Sequence, residues 1–242
     1  MLIDTHFHLD LMDNMQLLIR EFKNNNVGVI AVGTTPKAYE KEKIFCTDLD
    51  NINVGLGFHP QLVDEREHEI DLFLRLANES RFIGEVGLDF NSGYITSKEQ
   101  QLSCFRKIAK VCADVGGKVL SIHSVKSAST TISELETAGT FRNNICIFHW
   151  FTGSPSERKR AIENGAWFSI NPKMLRTKSG QDTIRTIPSN RIFLETDAPF
   201  TMKISSVNVL KAELEKLVNS ISEIKNEDVR KKVENNSSIL LL

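Results

Sequence analysis

Eight short runs rich in β-branched and other apolar residues recur along the 242-residue chain, and segments of helical periodicity separate them. The runs are Leu2–His6, Val27–Gly33, Val54–His59, Phe82–Val86, Lys118–His123, Ile145–His149, Ala166–Ile170 and Arg191–Glu195. Between them, Met15/Leu18/Ile19/Phe22 and Leu102/Phe105/Ile108/Ala109/Val111/Cys112 repeat at the spacing that lines one helix face, and Leu72, Leu74 and Leu76 are mixed with charges. Strands joined by crossover helices must run parallel. The unbroken apolarity of Val29-Ile30-Ala31-Val32 suits a strand covered on both faces. This alternation fits a closed barrel or a doubly wound sheet. A length close to the ~250 residues typical of an α/β barrel points to a single (β/α)8 TIM-barrel domain over residues 1–242.

Ionisable residues at the ends of these runs separate the two architectures. His6 and His8 close the first run, His59 the third, Glu85 the fourth, His123 the fifth, His149 the sixth and Asp197 the eighth. In a closed parallel barrel all strand C-terminal ends meet on one face, where active sites are built. Residues two apart on a strand share a side, so His6 and His8 can offer two imidazoles to one ion while Phe7 points away. A lone buried histidine is more often a hydrogen-bonded core residue than a ligand. Five of the six histidines at converging strand ends reverse that balance. Glu85 and Asp197 would be costly to bury without a cation or donor nearby. Imidazole with carboxylate suits zinc, iron, manganese or nickel, and a centre richer in carboxylate oxygen also takes magnesium.

A formal net charge of −1 gives no global attraction for a polyanion, though a local basic patch remains compatible with it. Cys46, Cys104, Cys112 and Cys146 are too scattered for a disulfide framework or a zinc ribbon and read as reduced thiols. Met1-Leu2-Ile3 runs straight into Asp4 without the basic and apolar regions of a secretion signal, and no apolar run approaches a membrane span. A soluble, cytoplasmic, membrane-independent protein is expected. The tail Asn226–Leu242, with Val229, Val233 and Ile239-Leu240 as an apolar face, is predicted to end the fold with a helix, and Arg158-Lys159-Arg160 reads as a solvated helix face.

Asp4-Thr5-His6-Phe7-His8-Leu9-Asp10, Gly57-Phe58-His59-Pro60, Gly84-Glu85-Val86-Gly87-Leu88-Asp89, Ile122-His123-Ser124, His149-Trp150-Phe151-Thr152-Gly153 and Glu195-Thr196-Asp197-Ala198-Pro199 occur in that order. Together they resemble the TatD family of metal-dependent deoxyribonucleases within the amidohydrolase superfamily, over nearly the whole chain. The resemblance implies phosphodiester hydrolysis at two divalent metal ions (Mg, Mn or Zn). One ion would be held by His6, His8 and Asp197, the other by His123 and His149, with Glu85 bridging. Asp197 would orient or deprotonate the attacking water. His59 matches a family position near the site, where it would contact phosphate or simply hydrogen-bond within the structure.

The substrate rim departs from the family. Ser124-Val125-Lys126 follows His123 where an arginine is common, so Lys126 would contact phosphate as a point charge. Trp150 stands beside His149, placed either to stack on a base or to pack in the core. The usual loop after the eighth strand is missing, since Phe200-Thr201-Met202-Lys203 leads almost directly into a helical segment near Val207. Lys173, Arg176 and Lys178 after the seventh strand are placed for phosphate contact or form a solvated charged loop. These departures are similar to the TatD-like component of the Qat anti-phage defence system, which implies single-stranded or terminal DNA as substrate and other Qat proteins as partners. Two further readings remain open: a metal-dependent hydrolase of small amides or esters, and a scaffold subunit with a vestigial site.

Overall fold

The computed structural model describes residues 1–47 and 49–240. Eight strands appear where the apolar runs lie: β1 Leu2–Phe7, β2 Val27–Val32, β3 Ile52–Phe58, β4 Phe82–Asp89, β5 Val119–Val125, β6 Ile145–His149, β7 Trp167–Ile170 and β8 Ile192–Leu194. They follow one another in sheet order and close into a parallel barrel. All residues of β1, β2, β4, β7 and β8 are buried, as expected of strands without a solvent face.

Contacts divide the chain into two compact units. The first comprises Met1–Ala31, Lys43–Asn53 and Phe168–Leu242, and the second Val32–Glu42 and Val54–Trp167. In the first, β1 pairs with β2 and β8, and β7 pairs with β8. The helix Met15–Phe22 forms where predicted, and Val207–Lys225 begins at Ser206, whose side chain accepts from the N–H of Val209. The expected C-terminal helix is seen as Arg230–Ile239, while Leu241 and Leu242 lie outside the described residues. In the second unit, β3, β4, β5 and β6 pair in sequence. The helix Lys98–Val115 buries Leu102, Phe105, Ile108, Ala109 and Cys112. The helix Pro155–Glu163 opens on a capping box in which Ser154 and Glu157 satisfy each other's backbone N–H.

Three local expectations need correction. Glu85 does not end the fourth strand, because β4 continues through Asp89, pairing Gly87, Leu88 and Asp89 with His123, Ser124 and Val125. The Gly-Leu-Asp segment that reads locally as a turn is held extended by its neighbour. The eighth strand stops at Leu194, leaving Glu195, Thr196 and Asp197 in a loop shaped by side-chain hydrogen bonds. Arg158-Lys159-Arg160 is not a uniformly solvated face. Arg158 is buried, and Arg160 forms an ion pair with Glu136 on the helix Ala128–Ala138.

All four cysteines are buried, and burial pushes the thiol of Cys104 up to about 11 and that of Cys112 up to about 12, keeping them protonated. No helix among the described residues is long and apolar enough to cross a membrane. Phe193 in β8 is fully buried, so Phe193→Ala is expected to destabilise the protein by about 3–5 kcal/mol. The change should appear as a lower denaturation midpoint in urea.

Candidate metal centre

In the first unit, β1 delivers His6 from its last turn of chain and His8 from the residue after it. Their Nε2 atoms lie 3.2 Å apart, and both face Asp197 Oδ1, at 3.9 and 3.7 Å. Two nitrogens bound tetrahedrally to one cation at about 2.0–2.1 Å stand roughly 3.3 Å apart, so this pair has the separation of ligands to a shared ion. The β8 loop is tied to β1 and His8 by four hydrogen bonds. Asp197 N–H donates to His6 O at 3.0 Å, and His8 N–H donates to Ala198 O at 3.0 Å. Buried Asp4 accepts from His6 N–H at 3.0 Å through Oδ1, and from the Thr196 hydroxyl at 2.6 Å and N–H at 3.1 Å through Oδ2. Burial pushes the Asp4 carboxyl up to about 7, and those hydrogen bonds only partly offset it. Glu195, also buried, accepts from Ser169 and, at 2.9 Å, from Asn171 Nδ2.

In the second unit, Glu85 Oε1 lies 2.6 Å from His123 Nδ1 and 2.9 Å from His149 Nε2, and those two nitrogens are 3.4 Å apart. This is again the separation of two ligands on one ion. Glu85 Oε2 lies 3.3 Å from His59 Nε2. His59 Nδ1 accepts from the backbone N–H of Gln61 at 3.2 Å, which puts the proton of the neutral ring on Nε2 and lets it donate to Glu85. His59, Glu85 and His123 bring one ring nitrogen or carboxylate oxygen each within 4.8 Å of one another. Burial opposes a charged His123 ring, but hydrogen bonds to Asp89 and Glu85 outweigh it and raise its pKa. A cation at Nδ1 would take the place of that proton.

Asp89 enters this group although the sequence did not single it out. Its Oδ2 lies 3.0 Å from His123 Nε2 and accepts from Gln61 Nε2 at 2.7 Å, while Oδ1 accepts from Asn91 N–H at 2.8 Å. Burial works to raise its carboxyl, and these donors overcome it and leave it below the usual carboxylate range. The available signal was spacing: four residues beyond Glu85 on one strand, it falls on the same face.

The residues expected to meet substrate are less gathered. His59 sits within the Glu85 group. Lys126 is exposed with φ 51°, its Nζ 3.4 Å from Asn91 Oδ1, and Trp150 is half-buried with φ 40° directly after His149. Lys173 Nζ donates to Phe200 O at 3.0 Å, tying the β7 loop to the β8 loop, whereas Arg176 is exposed on the turn Met174–Arg176. Phe200 is 58% exposed yet sets its ring edge-on to His8 at 5.1 Å. A bulky apolar residue three positions after Asp197 was the sequence signal for it.

A parallel (β/α)8 barrel carrying buried imidazole–carboxylate groups at strand ends is the architecture of a metal-dependent hydrolase. The chain belongs to the TatD related DNase family, which it matches over residues 3–241. It is 28% identical to human deoxyribonuclease TATDN3 over 217 residues, covering 82% of this chain and 78% of that protein. It is 24% identical over 209 residues to the uncharacterized metal-dependent hydrolase YabD of Bacillus subtilis, covering 83% and 81%. The crystal structure of the TatD homolog YJJV from Escherichia coli shares the fold, with a TM-score of 0.82 at 18% identity over 98% of this chain and 96% of that one.

Proposed function

We propose that the protein is a divalent-cation-dependent deoxyribonuclease that hydrolyses phosphodiester bonds in single-stranded DNA or at DNA ends. The observation that carries this reading is the paired spacing of imidazole nitrogens, 3.2 Å for His6 and His8 and 3.4 Å for His123 and His149, each pair facing a buried carboxylate. His6, His8 and Asp197 would hold one cation, and Glu85, His123 and His149 a second. Bound cations (Mg, Mn or Zn) would make water a stronger nucleophile and stabilise charge on the attacking and leaving oxygens. Asp197 takes the proton from the attacking water. The Nε2–H of His59, donated to Glu85, orients that carboxylate toward the two imidazoles.

Around the centre, Lys126, Lys173 and Arg176 are assigned to phosphates and Trp150 to a base face. Phe200 offers an exposed ring beside His8. The role in anti-phage defence, in the cytoplasm and alongside other Qat proteins, rests on the resemblance of Ser124-Val125-Lys126, the Trp150 substitution and the short loop after Asp197.

The decisive test is cleavage of end-labelled single-stranded DNA with added Mg2+ or Mn2+. Cleavage is expected from the wild type and not from His6→Ala/Glu85→Ala. Equal cleavage by both, or none by either with any divalent cation, defeats the reading. Activity confined to small amides or esters would replace it with a different hydrolase.

A further inference from the structure

The two nitrogens of His123 face two different carboxylates, and only one nitrogen can serve a cation. A neutral imidazole has one N–H and one lone pair, and the partner of the N–H decides which nitrogen is left for a metal. On the Nδ1 side stand Glu85 Oε1 at 2.6 Å and the second imidazole, His149 Nε2, at 3.4 Å. On the Nε2 side stands Asp89 Oδ2 at 3.0 Å. We propose that Asp89 is a positioning residue: it holds the Nε2–H of His123 so that the ring presents Nδ1 to a cation beside Glu85 and His149. This rests on reading the group as a metal centre, and concerns residues of this chain that the ligand set leaves out.

The surroundings of Asp89 fit a hydrogen-bond acceptor. Its side chain accepts from Asn91 N–H at Oδ1 and from Gln61 Nε2 at Oδ2, and the same Oδ2 faces His123 Nε2. Its backbone is clamped separately by buried Gln101, which accepts from Asp89 N–H at 2.8 Å and donates to Asp89 O at 3.0 Å. The strand end is therefore held without the carboxylate, whose Oδ2 is left for ring orientation. Gln61 links the two histidines of the group. Its backbone N–H fixes the proton of His59 on Nε2, and its side chain fixes the oxygen of Asp89 that receives His123.

The test uses full-length protein, Zn2+ as the probe, and histidine 15N resonances as a readout independent of DNA cleavage. In the wild type with Zn2+, His123 is expected as the Nε2–H tautomer with Nδ1 coordinated. Asp89→Asn should weaken Zn2+ binding at this group about 10–100-fold, the usual effect of losing a partner behind a metal-bound histidine. It should also shift the His123 Nε2–H signal while leaving the His6 and His8 signals in place. Asp89→Ala should weaken binding at least as much. If Asp89→Ala does not fold, Asp89→Asn, which keeps the side chain's size, decides alone. Zn2+ affinity within about twofold of wild type with an unchanged His123 tautomer would overturn the proposal. A protein that cleaves no DNA but loses Zn2+ affinity on Asp89→Asn would refute the nuclease reading and support this one. The opposite pattern would do the reverse.

Discussion

Asp197→Asn is expected to lower the turnover of DNA cleavage about 10²–10⁴-fold, the contribution of a well-placed general base. Asparagine matches aspartate in size and still offers an oxygen toward His6 and His8, but it cannot accept the water's proton. It also tolerates the left-handed backbone at this position, where φ is 53°, so the loop has no reason to rearrange. The backbone hydrogen bonds to His6 O and from Thr201 N–H do not involve the side chain and should persist. The loss should therefore fall on the rate under single-turnover conditions with saturating Mn2+, with cation content and thermal midpoint reduced far less. A rate within about tenfold of wild type would move the base role to another residue.

Gly87→Ala should be severely damaging. A Cβ at Gly87 would stand 2.0 Å from His123 O and 2.9 Å from His123 C and N, at a backbone φ of 145° that disfavours side chains. The contact is with main chain, so no rotamer change can relieve it. β4 and β5 would have to separate where Gly87 pairs with His123. A loss of about 4 kcal/mol or more is expected, in the range reserved for core overpacking combined with backbone strain. Because His123 itself must move, Zn2+ binding should fall with stability in the fraction that remains folded. Gly93→Ala is the control: nothing lies within 4 Å of its Cβ position, and chemical denaturation should find it close to wild type.

The strand pattern and the candidate ligand positions were legible because both are local. A buried parallel strand announces itself by an unbroken apolar run, and a histidine or carboxylate at its end needs only position in the sequence to be noticed. Each of the eight predicted runs overlaps an observed strand, and the departures are at the ends: β4 runs on to Asp89, and β8 stops before Glu195. Those ends depend on the neighbouring strand. The extension of β4 exists because Gly87, Leu88 and Asp89 find partners on β5.

By itself the sequence determined the barrel class and picked out His6, His8, His59, Glu85, His123, His149 and Asp197 as candidate ligands in or just after barrel strands. Tertiary structure decided the pairing of atoms. Which nitrogen of His123 meets Glu85 and which meets Asp89 depends on residues 38 and 34 positions away. Arg158 is likewise buried rather than solvated, which its local sequence does not show. Periodicity reports which face a side chain occupies, but hydrogen bonds of about 3 Å are set by strand register and loop geometry, which only the assembled chain defines.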